Sequence, residues 1–392
     1  MKGGIGETTS KVIAISRVLC ILCVIYAHAP PYHTPLPLRV PSYDAAIWTL
    51  REVLGRSSVP LLSIISGYLA ARLAMGGGWR RTLRRKAATL LLPLLLWNAI
   101  ALSKDIAFSL GEAMPAFESL PRLLLAIGGE PRLTPLYFLR DIFLCSLFAP
   151  WLLAGLRHAR WVLMTCLAAN AVWNMDGPLF ISGAIPLFYA LGLGLGQGYW
   201  SAAILEQRPR LCWAVAARTL AALAVLPLVA AQYPALRLPE SLSAALLIVR
   251  RFAAAAAFWV TAAAIARHHR LARAFAGFEP VIFFIFCAHP LIIGLAWTFV
   301  GPAARQLGKG SEFAAFAAAP FMVLALGYLA VWMLRRVAPR LLGALMAGKV
   351  PSDRQMMDAV RPLALLANRP TIPDRAVRTA PEVPPQGSDR PR

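Results

Sequence analysis

Two ionisable side chains, Arg17 and His28, interrupt a stretch from Lys11 to His28 that is otherwise apolar enough to enter a membrane. On an α-helix an eleven-residue separation places them roughly 20° apart in azimuth and roughly 16 Å apart in height. They therefore share one face of one helix. An ionisable group at membrane depth costs about 2.5–3.5 kcal/mol on insertion scales, so an aligned pair marks a polar cavity and a functional site. An unprotonated imidazole near neutral pH can take a proton from a hydroxyl or accept an acyl group. A lone histidine in a helix is ordinarily a packing residue, but the arginine aligned with His28 reverses that preference.

Four further groups of residues have chemical potential. Residues 80–86, Arg-Arg-Thr-Leu-Arg-Arg-Lys, follow Gly76-Gly77-Gly78 and put Arg81 and Arg84 on adjacent positions of one helical face. Guanidinium groups bind phosphate bidentately and stay charged, which suits an adenine-nucleotide thioester, although from this segment alone topology-setting charge is the slightly simpler explanation of the run. Arg140 and Asp141 enter an apolar helix together and need a polar neighbour, from another helix or from a substrate. His289 lies deep in an apolar run, and Pro290 beside it frees backbone groups that need partners. Ser66 precedes Gly67, which permits close helix approach, so packing is the simplest reading there.

Long helices must position these residues. Of 392 residues 58% are hydrophobic and 15% charged, and the apolar positions come in repeated runs. This composition predicts an all-α, polytopic membrane helix bundle. Runs near residues 11–29, 58–74, 87–103, 134–155, 161–174, 180–204, 211–231, 241–266, 275–300 and 313–334 predict about ten transmembrane helices. The fifth run is short, and Arg250-Arg251 interrupt the eighth.

The net charge of +22 would suggest nucleic acid in a soluble chain, but here the cations must first be sorted by side. Connections 75–86, 156–160, 205–210 and 267–274 hold 12 Lys or Arg in 31 residues, whereas 29–57, 104–133, 174–179, 232–240 and 301–311 hold 9 in 85. The positive-inside rule then predicts both termini in the cytoplasm, and nucleic acid is not an expected partner. Lys2, Lys11 and the apolar core after them imitate a signal peptide, but Arg17 near the start of that core favours an uncleaved first helix. The six cysteines fall in apolar runs and read as small hydrophobes; neither a disulfide framework nor a metal is expected. A membrane domain over 1–336 and a cytoplasmic tail over 337–392 are predicted. From Pro370 the tail is too proline-rich and polar to fold.

In order and spacing, several segments resemble the acyltransferase family 3 membrane proteins, bacterial enzymes that decorate polysaccharides and other acceptors with acyl groups. The elements are Arg17 with His28, the segment Val59-Pro-Leu-Leu-Ser-Ile-Ile-Ser-Gly-Tyr-Leu69, the basic stretch after it, Tyr137-Phe-Leu-Arg-Asp141, and Ala288-His-Pro290. Leu61-Leu62-Ser63 stands where the family commonly has paired phenylalanines. The resemblance implies that acyl-coenzyme A, acetyl-coenzyme A first, approaches from the cytoplasm. It further implies that His28 is catalytic and that Arg17 and cytoplasmic arginines, Arg81 and Arg84 here, assist with the donor.

Together these readings predict a multi-pass enzyme of the bacterial inner membrane. It would move an acyl group to a sugar hydroxyl of an envelope or exported polysaccharide, free or lipid-linked, with Ser66, Arg140, Asp141 and His289 as cavity or acceptor-binding residues. The competing class is a transporter or flippase of lipid-linked sugars, in which Arg140, Asp141 and His289 line a path without covalent chemistry.

Overall fold

The computed structural model describes residues 6–31, 41–73, 79–108, 115–175, 177, 179–233 and 238–357. Among these the regular elements are all helical, as lipid requires of a chain that must satisfy its backbone groups internally. Gly76-Gly77-Gly78 and the tail from residue 358 onward lie outside the described residues.

Helix α1 (Glu7–His28) is the hub. Its Val18, Cys20, Ile21, Cys23 and Ile25 sit in the largest apolar core of the protein. It ends where Ala29 turns extended, so His28 stands on the last turn. Helix α2 (Tyr43–Thr49) is capped by Ser42, whose Oγ accepts from the Ala45 amide at 3.1 Å, and runs on as a π-helical turn over Leu50–Gly55. The sequence places this segment in an external loop. It is instead a helix packed on α1, with Gly55 so close that a Cβ would lie 2.7 Å from the Ala27 nitrogen. Helix α3 (Val59–Leu73) follows after a short turn in which the Ser58 hydroxyl donates to the Gly55 carbonyl at 2.7 Å.

Helix α4 (Trp79–Lys86) carries the basic run and passes through a π-helical turn, Ala87–Leu91, into α5 (Leu92–Phe108). The buried Asn98 of α5 donates to the carbonyl of Leu124, just within α6 (Leu120–Leu125), and accepts from the Leu133 amide at 2.7 Å. One side chain thereby fixes the connection to α7 (Tyr137–Trp173). That helix has 37 residues, about 55 Å at 1.5 Å per residue and far more than a bilayer needs. It breaks at Ala159 (φ −146°, ψ 51°), so the fourth and fifth predicted spans are two arms of one kinked helix.

Helix α8 (Ala184–Gln197) is shorter than the predicted sixth span, because Gly198 at φ +79° ends it in a left-handed turn. At about 21 Å it falls short of a full hydrocarbon core. It is wedged against α3 through glycine: a Cβ on Gly67 would lie 2.1 Å from the Tyr189 carbonyl oxygen, and one on Gly192 2.0 Å from that of Ile64. After α9 (Ala203–Gln207) come α10 (Pro209–Gln232), α11 (Glu240–Arg267), α12 (His269–Gln306) and α13 (Lys309–Val337). Among the described residues eight helical runs, rather than ten, are long and apolar enough to span; the difference is the kinked α7, counted once, and the short α8. Within the predicted tail, α14 (Pro339–Leu345) buries Leu342 and Leu345, and the Trp97 indole donates to the Leu345 carbonyl at 3.3 Å.

Candidate active site

A cavity of about 1250 Å³ opens at the His28 end of α1. Its wall includes Val24, Ala27 and His28 from α1, Arg56 after the π-helical turn, Ser63 from α3, Lys104 and Asp105 from α5, Ser182 before α8, Arg251 from α11 and Pro290 with Gly294 from α12. Opposite His28 stands His289, fully buried, with the two rings 5.3 Å apart between centroids. Pro290 has no amide hydrogen to give the Phe286 carbonyl one turn back. His289 Nδ1 makes that contact instead, at 2.6 Å. A carbonyl only accepts, so Nδ1 donates and Nε2 keeps its lone pair, with no hydrogen-bond partner among the described residues. The proline thus sets the tautomer of the second histidine.

Arginines frame this end of the cavity in an arrangement that no local motif announces. Arg51, 4% exposed, donates to the Ala29 carbonyl at 2.8 Å and the Pro31 carbonyl at 2.5 Å, clamping the chain where it leaves His28. Glu52 accepts from Arg56 at 3.1 Å and from Arg250 of α11 at 3.3 Å. Arg250-Arg251, read as an interruption of a span, are therefore part of the site: Arg250 is buried against Glu52 and Arg251 lies on the cavity wall. At the cavity's other side Asp105 pairs with Lys104 and Arg132.

Midway along α1, Arg17 pairs with Glu279 of α12 at 3.2 Å, both about one-third exposed. The half-buried Lys86 at the end of the basic run stands within electrostatic reach of Arg17, Arg85 and Lys349. Arg81 and Arg84 are exposed on α4. Arg17 and Lys86 thus lie within electrostatic reach of each other, with Arg81 and Arg84 exposed earlier on α4. The polar face expected to run unbroken from Arg17 to His28 is filled between them by Ile21 and Val24, which are buried. Both occupy the same helical face by their spacing, and a membrane helix at the centre of a bundle gains packing by filling it.

The other predicted site residues hold the scaffold. Ser66 donates to the Leu62 carbonyl of its own helix at 2.8 Å, and it is not part of the cavity wall. Asp141 is fully buried; it accepts from Arg140 at 2.9 Å and from the amides of Ile181 and Ser182 at 3.4 and 3.0 Å. The pair thus ties α7 to the turn that presents Ser182 to the cavity. Removing one charge of a buried pair costs about 3–5 kcal/mol. Asp141→Asn, which keeps the shape and loses the charge, is expected to lower the thermal midpoint of the purified protein markedly, as read by scanning fluorimetry. An unchanged midpoint would place Asp141 outside the stability-determining contacts.

A family model described as an acyltransferase domain matches residues 13–333. The chain is also 27% identical over 358 residues to the succinoglycan biosynthesis protein ExoH of Rhizobium meliloti (strain 1021), an alignment that covers 87% of this chain and 93% of that one. No solved structure matches it significantly. The matched region holds Arg17, the arginine frame and both histidines, and this multi-pass membrane protein belongs to acyltransferase family 3, enzymes that transfer acyl groups other than aminoacyl groups.

Proposed function

We propose that the protein takes an acyl group, acetyl first among the candidates, from cytoplasmic acyl-coenzyme A. It places that group on a sugar hydroxyl of an envelope or exported polysaccharide, free or lipid-linked. The reading locates it in the bacterial inner membrane with both termini inside, as the distribution of Lys and Arg favours. Arg17, Lys86 and the basic rim then face the cytoplasm, and His28 and its cavity face outward. The observation that carries the proposal is His28 on the wall of a large cavity, backed by the buried ring of His289, on a helix that also carries Arg17 eleven residues away. The relative's printed name, a protein of succinoglycan biosynthesis, favours a polysaccharide acceptor.

In this reading the donor's phosphates rest on the basic end and its extended arm follows α1. Ile21 and its neighbours move aside to let the thioester reach His28. The imidazole of His28 takes the proton of the sugar hydroxyl as the oxygen attacks the thioester carbonyl. The new C–O bond forms, the C–S bond breaks, and the proton passes to the departing sulfur. Alternatively His28 attacks first and carries the acyl group until the hydroxyl takes it. His289, locked in one tautomer, orients His28 in both versions.

The test is mass spectrometry of envelope and secreted polysaccharides from cells with and without the gene. Loss of one acetyl or succinyl mass per repeat unit, restored by complementation, is the expected result. Identical masses in both strains would refute the assignment.

A further inference from the structure

The cations around the cavity outnumber their partners. Glu52 serves both Arg56 and Arg250, and Asp105 serves both Lys104 and Arg132. Arg251, half-buried on the cavity wall, makes no hydrogen bond or ion pair to any described residue. Its electrostatic surroundings are Tyr137, Glu52 and two further arginines, Arg250 and Arg56. A guanidinium held in mid-helix beside two others is unfavourable unless something anionic completes the set. Glu52 is already committed, and Glu130, the other carboxylate on the cavity wall besides Asp105, accepts from the Thr134 hydroxyl and makes no ion pair with Arg251, so an anion in the cavity would complete the set. Arg56 and Arg251 reach the same cavity as His28.

We propose that Arg251, with Arg56, binds a carboxylate or phosphate carried by the substrate in the cavity beside His28. This rests on the acyltransferase reading above and narrows its substrate class: one of the two reactants bears an anionic group besides the phosphates of coenzyme A. Two sources share that chemistry, the acyl chain and the acceptor. An anionic group anchored by a forked guanidinium would fix the reacting hydroxyl or carbonyl against the imidazole, as bidentate pairs do elsewhere.

The experiment measures binding to the full-length protein in lipid nanodiscs by thermophoresis, using matched probes. Succinyl-coenzyme A against acetyl-coenzyme A reports the acyl chain. A glucuronate-containing oligosaccharide against its neutral glucose counterpart, and a prenyl diphosphate against the prenyl alcohol, report the acceptor. The wild type is expected to prefer the anionic member of at least one pair by about ten-fold. Arg251→Gln is expected to abolish that preference while the neutral probe binds as before. Arg251→Lys, which keeps the charge without the fork, is expected to retain only part of it, and decides the matter if the glutamine variant misfolds. The proposal is overturned if no pair shows an anionic preference, or if the preference is intact in both variants. Because the readout is binding, an anion preference in a protein that leaves cellular polysaccharides unmodified would sink the acyltransfer reading alone.

Discussion

His28→Ala is expected to lower acylation of the polysaccharide by about two to four orders of magnitude, the range that a positioned general base supplies, and more if the imidazole carries the acyl group. The protein should still insert and fold. His28 is half-buried on the last turn of α1, makes no hydrogen bond among the described residues, and meets the cavity and the ring of His289. Truncating it therefore removes chemistry and little packing. The Arg51 clamp on the Ala29 and Pro31 carbonyls uses backbone atoms and survives the change. The check is quantitative mass spectrometry of the glycan beside membrane yield and size-exclusion profile. A His28→Ala protein of normal yield that acylates at the wild-type rate would remove His28 from the mechanism.

The second large effect concerns stability. Gly67→Ala and Gly192→Ala are each expected to cost about 3 kcal/mol, the upper end of overpacking penalties. Each new Cβ would meet a backbone carbonyl of the facing helix, of Tyr189 or Ile64, at about half the normal separation. Backbone cannot rotate away as a side chain can, so α3 and α8 must part. Ser182, on the turn leading into α8, and Ser63, on α3, both line the cavity. Loss of monodisperse protein should therefore accompany loss of activity. Ser66→Ala is the control, since its hydroxyl bonds only its own helix, and it should cost under about 1 kcal/mol. Equal stability of the glycine variants and the wild type would mean that the two helices are not in contact.

Much of this was legible in the chain because apolar period and intramembrane charge are local signals. The first helix, the need for a partner beside Pro290 and the helical class all follow from such signals. What escaped depends on contacts between distant residues. Glu52 and Arg250 are 198 positions apart, and nothing near either one announces the other. Tyr43–Gly55 reads as loop because Asp44, Arg51 and Glu52 interrupt its apolar residues; against α1 and α11 Arg51 and Glu52 find partners, Asp44 pairs with Lys309 of α13, and the segment stays helical. Asp141 reads as a carboxylate that needs a partner, from another helix or from a substrate, and two backbone amides and Arg140 satisfy it. Arg81 and Arg84 are exposed on α4, and Lys86, farther along the same basic run, lies within electrostatic reach of Arg17.

Sided transfer in proteoliposomes tests the central claim most directly. Purified protein of known orientation is reconstituted with polysaccharide from the producing cells on the His28 side, and labelled acetyl- or succinyl-coenzyme A is added on the Arg17 side. Label is expected on the glycan across the bilayer, and is expected to be absent with His28→Ala. Label that appears only when donor and glycan share one side, or that appears equally with His28→Ala, would contradict that claim.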